Sequence, residues 1–576
     1  MLDLRPSPIR VSLQAARKMP RWILLALLFA FIVPGVVGHD IWSTREGAAL
    51  GKALCMSHGD LGAWLYPMAS GQIITEHGPL SIWIGAVFIR LFGDFIEPAS
   101  ALRLTTMLWF AVSTASLWYG TWFLARRREA QPIELMFEEQ ASYRDFGRLV
   151  ADTATLFFVS LFGLILKLHE PTFENAELAM ACVAYFGCAM ALTRPYLGAT
   201  IAGAACGAVI LCGSLIAGMT MLVGCILSCI FVQGRGTFEK KIILMILAAF
   251  VIFFLWPATA YISSPEVAGD FFSLWAQTQA DTFGLLNPSE IGWFVKHFAW
   301  YLCPAWPLAI WALWVWRSQH SASHIILPAV FFVAWGLGFT VSDQVSAENL
   351  TLIFIAPLCT LAAFGLMATR RSMQAMLDYF ALAVFSLATI SLWAYWFAWA
   401  AGFPPKMARS VINLAPDANA SDTGLLAIVV AIIFTSFWIF LTVKRLKSRP
   451  DELWSGPWLA SAGMTVIWVL ALTLAGPVLD NARSYRPIAK SIMTSLQADG
   501  FVVQADCLKA DTVPQGIRAM IGYYSGIVLN VNEGLACRYE LIREHASQVP
   551  EGTEVIKRPR TEELFILRRL SPILKE

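Results

Sequence analysis

The stretch Gly38–Gly93 reads GHDIWSTREGAALGKALCMSHGDLGAWLYPMASGQIITEHGPLSIWIGAVFIRLFG. It follows an apolar segment, Trp22–Val37, which is a candidate membrane span. Within the stretch lie four carboxylates, those of Asp40, Glu46, Asp60 and Glu76. Acidic side chains close to a span are costly to keep there, so they indicate a functional site.

The composition is that of a membrane protein. Of the 576 residues 57% are hydrophobic and only 14% are charged, and the mean hydropathy is +0.61. A soluble domain of this size could not cover so much apolar surface, so the solvent must largely be lipid. The net charge of +2 gives no reason to expect nucleic acid as a partner. The cysteines before residue 476 show no metal-ligand spacing and are interpreted as small packing residues.

Apolar runs of spanning or nearly spanning length predict about thirteen membrane crossings. They lie near 22–37, 101–124, 149–168, 174–192, 197–213, 216–232, 242–262, 296–316, 324–341, 350–368, 378–400, 422–443 and 455–476. The basic residues before the first run place the N-terminus in the cytoplasm. A cleaved signal peptide is the alternative, but an uncleaved anchor fits the length of the first run and the many spans that follow.

Positive charge supports this orientation. The connections expected in the cytoplasm include Arg126–Arg128, Arg370–Arg371 and Lys444–Arg445. The opposite connections, such as 263–292 and 342–349, contain almost no Lys or Arg. The pattern holds only if Pro79–Phe92 does not cross the membrane. We therefore expect Pro79–Phe92 and Glu46–Leu54 to be amphipathic helices that lie on the outer membrane surface.

After residue 476 the composition changes to that of a soluble domain. The sequence thus divides into a transmembrane domain, 1–476, with a first outer loop at 38–100, and a C-terminal domain, 477–576. Short apolar runs at 501–503, 526–529 and 564–567 suggest strands, and 513–524 suggests a helix. An odd number of crossings places this small α/β domain outside the cytoplasm. Cys507 and Cys537 could pair there in an oxidising compartment, or remain two core thiols.

The acids of the first loop suggest proton transfer. Asp40 or Glu46, at the mouth of a span, could take a proton from an acceptor hydroxyl if burial raises its pKa towards neutrality. A helix cap or an interfacial anchor is an equally simple role for either acid. Glu76 comes just before Pro79, which opens the second surface helix, and an acid there often only complements the helix dipole.

A second acidic segment, HEPTFENAELA at 169–179, links two of the apolar runs. Its ionisable side chains are His169, Glu170, Glu174 and Glu177. The three acids recur at helical spacing, so one helix face could be acidic, or one or two of them are plain solvated residues. A metal site built from His169 and these acids matches no specific ligand pattern.

Both acidic segments belong to the outer face, beside a long outer loop. A carrier is expected to place its polar residues near the bilayer midplane, at broken helices. The arrangement therefore favours an enzyme over a transporter.

Several segments follow one another in an order typical of a known family. They are WSTREGAALGKAL, SGQIITEHGPLSIW, ALRL at 101–104, HEPTFENAELA, Gly203–Gly213, WPATAY, PAWPLAIWAL and SAENLTLIFIAPLCTLAA. In this order roughly the first 370 residues resemble the GT-C superfamily of polyprenyl-phosphate-sugar-dependent glycosyltransferases. The resemblance is strongest to bacterial relatives of protein O-mannosyltransferases and to the lipid A aminoarabinose transferase. It implies a multi-pass enzyme of the bacterial plasma (inner) membrane with a periplasmic C-terminal domain.

The resemblance also implies roles for single residues. Glu76 matches the glutamate of the family's FEKP motif, and Glu174 best matches its second-loop acid, with Glu170 and Glu177 as alternatives. The family's first-loop Asp-Glu pair falls on Arg45 and Glu46. Either Glu46 or the nearby Asp40 must then serve as the base.

Two family features are missing from this chain. The segment AGDFFSLWAQTQADTFGL lacks the histidine that closes a metal site in aminoarabinose-type members, so the cofactor stays open and a divalent metal is unsupported. His77 or His297 could join Glu76 in such a site only if the fold brings them close. Ala347–Asn349 stands in place of the usual basic-aromatic donor motif. The expected substitutes are Arg483, Tyr485 and Arg486, which would grip a lipid phosphate or merely position the C-terminal domain.

The implied reaction starts from a polyprenyl (undecaprenyl) phosphate sugar whose phosphate is the leaving group. Asp40 or Glu46 activates the acceptor, which attacks the anomeric carbon with inversion. Glu174 orients the acceptor or sugar, and His169 and Glu170 are expected to contact substrate. The acceptor is lipid A, a cell-surface glycan or a protein. A lipid-linked sugar or oligosaccharide transporter and a non-catalytic family member are the alternatives.

Overall fold

In the computed structural model the chain is mainly helical, with a small sheet near its C-terminus. The structure describes residues 7–12, 14–133, 141–232, 238–285, 288–319, 322–448, 452–503, 506–531, 537–545, 555–557, 561 and 563–570.

The first loop is built from short elements that follow helix α1, Arg21–Ile32. These are α2 (Thr44–His58), α3 (Leu61–Leu65), the hairpin strands β1 (Met68–Ala69) and β2 (Gln72–Ile73), and α4 (Leu80–Phe92). Helix α2 begins after Ser43 because the Ser43 hydroxyl accepts a hydrogen bond of 3.1 Å from the Glu46 amide. The two helices predicted for this loop are confirmed as helices.

Long helices make up the bundle. They are α5 (Pro98–Ala125), α6 (Tyr143–Ser160), α7 (Leu164–Lys167), α8 (Phe173–Ala191), α9 (Pro195–Cys212), α10 (Leu215–Val232), α11 (Phe238–Ser263), α12 (Pro265–Ala280), α13 (Pro288–Tyr301), α14 (Ala305–Val315), α15 (Ser323–Thr340), α16 (Gln344–Ile353), α17 (Ile355–Met367), α18 (Arg371–Ala401), α19 (Pro405–Leu414), α20 (Leu425–Lys447) and α21 (Ser455–Leu474). Single 3₁₀ turns occur at Arg128–Ala130 and Ala420–Asp422.

The chain is a multi-pass membrane protein, but the predicted number of spans is not confirmed. In the described part of the chain seven helices are long and apolar enough to cross a membrane. The number rises to nine if the bent pairs α13–α14 and α16–α17, with bends of 98° and 49°, are each one span. The other predicted runs also lie on helices. However, α1 has only 12 residues, and α6 and α8 carry charged side chains in their first turns.

The C-terminal region forms a small α/β unit. Its elements are α22 (Gly476–Arg483), α23 (Arg486–Ala498), β3 (Leu508–Lys509), α24 (Gln515–Ser525), β4 (Leu529–Asn530), β5 (Tyr539–His545), β6 (Val555–Lys557) and β7 (Glu563–Arg569). The strand order is β4-β3-β5-β7-β6, parallel around β3 and antiparallel around β7. The strand predicted at 501–503 is absent, since these residues have no strand structure. Cys507 and Cys537 form a disulfide and are not two unpaired core thiols.

The C-terminal unit packs directly on the first loop. One hydrophobic cluster contains Ile41 and Leu50 of the loop together with Ile492, Met520 and Phe565 of the C-terminal unit. Helices α2 and α24 approach so closely that a Cβ on Gly516 would lie 1.9 Å from the backbone oxygen of Thr44. The division at residue 476 stays a prediction, but the two parts share this core.

Candidate functional site

A buried ion pair lies at the start of α2. The Glu46 carboxylate accepts a hydrogen bond of 2.6 Å from Nε of Arg103 on α5, and both side chains are almost fully buried. The Arg103 guanidinium also donates to the backbone oxygens of His39 and Asp40, at 2.9 and 3.0 Å. Arg103 therefore neutralises Glu46 and fixes the loop before α2. The Glu46 carboxylate is thus part of a buried ion pair that holds α2 to α5.

Asp40 connects the first loop to the C-terminal unit. Its carboxylate accepts two hydrogen bonds of 3.0 Å from Nε of Arg486 and one of 2.6 Å from Nη2. The Asp40 amide donates to Asp480 Oδ1 at 2.9 Å. The Arg486 guanidinium lies 4.6 Å from the ring centre of Tyr524, and its bonds to Asp40 raise its pKa. This bidentate pair occupies both residues with each other.

Glu174 gathers positive charge at the N-terminus of α8. Its buried carboxylate accepts hydrogen bonds from Lys167 Nζ at 2.6 Å, from Arg45 Nη1 at 2.9 Å and from the Thr172 hydroxyl at 2.5 Å. Arg45 is half exposed. Two cations thus lie against this one carboxylate, and the immediate surroundings of Glu174 suit an anionic ligand.

Glu170 lies among these groups, in the segment between α7 and α8. Burial raises the pKa of Glu170 to about 7, and the neighbouring carboxylates of Glu46 and Glu174 add to the effect. Lys167 and a hydrogen bond from Ser43 oppose the shift. A carboxyl that titrates near neutrality can both accept and release a proton at physiological pH.

Glu76 stands apart from this group. Its carboxylate is largely exposed, and its partner is Lys52 at 3.9 Å. Burial lowers the pKa of Lys52. The neighbouring His77 ring stacks on Phe173 at 3.7 Å between ring centres, and burial lowers the pKa of His77 to about 3. The loop thus contacts the start of α8, while Glu76 itself points to its surface.

His169 and His297, which were considered as substrate or metal ligands, have different surroundings. His169 is buried between Phe31 and Trp468, and its ring nitrogens lie 2.6 and 2.8 Å from the backbone oxygens of Ile165 and Phe31. These contacts make His169 a packing residue. His297 stacks on Trp293 of its own helix. Among the described residues no three His, Cys, Asp or Glu side chains are arranged to hold a metal ion.

A cavity of about 130 Å³ adjoins the charged group. Its lining includes Lys167, His297, Tyr301, Glu348 and Asn349. Lys167 therefore faces both this cavity and the carboxylate of Glu174. Lys167 was missed in the sequence because it appears only as a single basic residue at the end of an apolar run.

Two of the three residues expected to bind a lipid phosphate contact other protein groups. Tyr485 is buried, and its hydroxyl donates to Glu563 Oε2 at 3.0 Å. Arg486 binds Asp40, as described above. Arg483 is exposed at the end of α22.

The structure thus brings Glu46, Glu170 and Glu174 together at one end of the bundle. Asp40 is linked to this group through Arg103, which pairs with Glu46 and donates a hydrogen bond to the Asp40 backbone oxygen. Glu177 lies a turn beyond Glu174, buried against Gly213. Arg45, Arg103 and Lys167 are the cations of this group.

The fold has counterparts among solved structures. ArnT from Cupriavidus metallidurans bound to undecaprenyl phosphate matches with a TM-score of 0.64 and 14% identity, over 95% of this chain and 97% of that chain. The apo state of the same protein matches with a TM-score of 0.62, 14% identity and the same coverage. Archaeal oligosaccharyltransferase AglB from Archaeoglobus fulgidus, in complex with an inhibitory peptide and a dolichol-phosphate, aligns at 9% identity over 91% and 69% of the two chains, and its TM-score of 0.46 carries no weight here.

No protein-family model matches the sequence, and no curated protein matches it significantly. The likeness to ArnT, a lipid A aminoarabinose transferase, therefore lies in the fold, and it extends over nearly the whole of both chains. The fold that the resemblance in the sequence implies is thus confirmed.

Proposed function

We propose that the protein is an integral-membrane glycosyltransferase that moves a sugar from a polyprenyl phosphate, such as undecaprenyl phosphate, to an acceptor at the outer face of a bacterial inner membrane. The observation that carries the proposal is the group of Glu46, Glu170 and Glu174 with Lys167 and Arg45 beside a cavity, in the fold of ArnT. Lipid A, a cell-surface glycan or a protein is the acceptor.

The phosphate of the donor is assigned to Lys167 and Arg45. Lys167 lines the cavity. Arg45, whose side chain is half exposed, binds the same Glu174 carboxylate as Lys167. Cations placed in this way would neutralise the charge that develops on the departing phosphate. This replaces the expected grip by Arg483, Tyr485 and Arg486, because Arg486 and Tyr485 are engaged elsewhere.

The acceptor base is assigned to Glu170. Asp40 is held by Arg486 and Glu46 by Arg103, and either bond would have to open before the carboxylate could accept a proton. Glu170 has a pKa of about 7, which suits a general base at neutral pH. Glu174 then orients Lys167 and Arg45, and attack from the face opposite the phosphate inverts the anomeric centre.

The orientation proposed with this function places the N-terminus in the cytoplasm and the C-terminal unit in the periplasm. It rests on the basic connections between the apolar runs. The Cys507–Cys537 disulfide is what an oxidising compartment would produce.

The test uses full-length protein purified in detergent, with a panel of labelled undecaprenyl-phosphate-linked pentoses and hexoses. We expect Glu170→Gln to lower transfer about 10²- to 10⁴-fold while binding of undecaprenyl phosphate is kept. We expect Lys167→Met to weaken binding of undecaprenyl phosphate about 10- to 100-fold. Glu266→Gln on α12 and Lys406→Met on α19 are matched controls, since both side chains are exposed. Transfer at the wild-type level in both site variants would refute the assignment.

A second candidate is a non-catalytic member of the same fold that binds the lipid phosphate only. It is favoured by Arg45, which stands at a position where the resemblance implies an acid, and by the burial of Glu46 against Arg103. Saturable binding of undecaprenyl phosphate with no transfer to any acceptor would select it. Movement of the donor across a vesicle membrane would instead select the transporter.

A further inference from the structure

A large apolar groove lies between α1, α20 and α21, away from the charged group. Its volume is about 790 Å³. Helices α1 and α20 both pack against α21, and the groove separates them. Small side chains leave this space open, among them Ala26 and Ala30 of α1 and Ala462 of α21. In a protein surrounded by lipid, an apolar recess of this size is filled by hydrocarbon chains.

One end of the groove is marked by aromatic and basic side chains. Trp22, Trp454 and Trp458 line it together with Lys444 and Arg445. Tryptophan is enriched at the level of lipid head groups, and basic residues near a membrane attract anionic lipids. The polar end of the groove therefore lies at the depth where a head group would be.

Only some of the basic side chains at this end of the groove are paired with a carboxylate. Nη2 of Arg445 binds Asp378 at 2.7 Å, and Arg17 lies 3.7 Å from Glu452. Lys444 has no acidic partner among the described residues. Within the described part of the chain Lys444 is thus a cation without a carboxylate partner at the mouth of an apolar groove, an arrangement complementary to a lipid with a negatively charged head group.

The dimensions fit one leaflet. Along α21 the groove extends from Ser455 to Val466, which is about 16 Å at the helical rise of about 1.5 Å per residue. Half of a hydrocarbon core of about 30 Å is about 15 Å. The groove therefore suits the acyl chains of a two-chain lipid that stays within one leaflet.

The groove is distinct from the proposed donor site. Its polar end lies at the start of α21, whereas α21 leads at its other end into α22, where Asp480 binds Asp40. Helix α21 spans Ser455–Leu474, so the two ends are separated by about 30 Å. A donor whose phosphate must reach Lys167 cannot place its head group beside Lys444.

We propose that this groove binds an anionic glycerophospholipid, with the phosphate-bearing head group at Lys444 and the acyl chains along α1 and α21. The lipid would join α1 to α20, which otherwise meet mainly through α21. The proposal does not depend on the transferase activity.

The test is native mass spectrometry of the detergent-purified full-length protein, titrated with phosphatidylglycerol or with phosphatidylcholine of the same acyl chains. We expect tighter binding of phosphatidylglycerol, and a loss of about five-fold in its affinity for Lys444→Gln. Ala26→Trp, which fills the groove, should reduce binding of both lipids. Lys447→Gln and Leu25→Trp are the matched controls, because neither residue lines the groove.

Several results would overturn the proposal. Equal affinity for the two lipids would remove the requirement for negative charge. Unchanged binding in both Lys444→Gln and Ala26→Trp, with melting temperatures like that of the wild type, would place the lipid elsewhere. Displacement of phosphatidylglycerol by equimolar undecaprenyl phosphate would assign the groove to the polyprenyl lipid instead.

Discussion

Nε of Arg103 lies 2.6 Å from Oε1 of Glu46, and the two side chains are almost completely buried where α5 meets the start of α2. A buried pair of this kind stabilises little compared with apolar residues, but removing one partner leaves an isolated charge. We expect Arg103→Met to lower stability by about 3–5 kcal/mol. Thermal unfolding in detergent measures this change.

The matched control for that prediction is the double variant Arg103→Met, Glu46→Leu, which removes both charges. It should recover most of the lost stability, since no buried charge remains without a partner. A single variant that unfolds at the same temperature as the double variant would contradict the prediction.

The pKa of Glu170 predicts a pH dependence. With a pKa of about 7, the deprotonated base becomes more abundant as the pH rises through 7. We therefore expect kcat/KM for sugar transfer to increase about tenfold per pH unit below pH 6 and to level off above pH 8. In Glu170→Gln the residual activity should be independent of pH over this range. A profile that keeps its inflection near pH 7 in the variant would assign the titration to another group.

Variants of the Asp40–Arg486 pair can distinguish a structural role of Asp40 from a role as the catalytic base. If Asp40 only ties the first loop to the C-terminal unit, Asp40→Asn and Arg486→Gln should reduce transfer by a similar factor of less than about ten. Arg486→Lys should not restore the lost part, because lysine cannot bind both carboxylate oxygens. If Asp40 were the base, Asp40→Asn alone would lose about 10²-fold or more. Initial rates of the three variants decide between these outcomes.

The close approach of α24 to α2 leaves no room for a side chain at Gly516. A Cβ there would lie 1.9 Å from the Thr44 backbone oxygen, so Gly516→Ala must push the helices apart. We expect a loss of about 1–3 kcal/mol and faster proteolysis of the C-terminal unit. Gly476→Ala is the control, since a Cβ there meets no atom within 4 Å. Equal protease resistance of the two variants would show that α2 can move without cost.

The disulfide gives a test of the side on which the C-terminal unit lies. If that side is the periplasm, Cys507 and Cys537 should be oxidised in growing cells, and acid quenching followed by alkylation should label neither. Replacing both by serine should destabilise the unit by about 3–4 kcal/mol. Full labelling of both thiols in intact cells would place the unit in the cytoplasm.

Much of the architecture was predictable because it depends on local patterns. The helices at Glu46–Leu54 and Pro79–Phe92 follow from their amphipathic character and, for the second, from Pro79 at its start. The predicted number of spans is not confirmed, because apolar content does not tell a lipid-facing helix from one that carries buried charge. Helices α6 and α8 are of the second kind, with Asp152 and Glu174 inside the protein.

The charged group was only partly predictable. Its acids could be identified from their unusual position next to apolar runs, but their partners are distant in the chain. Arg103 is 57 residues from Glu46, and Arg486 is 446 residues from Asp40. Only the folded protein shows that Asp40 and Glu46 are both engaged, and that Lys167, just before the second acidic segment, contacts Glu174.

The span of 446 residues between Asp40 and Arg486 has a consequence for biosynthesis. The ribosome completes the first loop early, but the residues that clamp it emerge only when more than four fifths of the chain has been made. Until then the Asp40 carboxylate lacks its partner Arg486, and helix α2 lacks the surface of α24. A nascent chain that ends before residue 486 could form the Glu46–Arg103 pair but not the Asp40–Arg486 pair. The first loop therefore reaches its final geometry only after Arg486 and α24 have been synthesised.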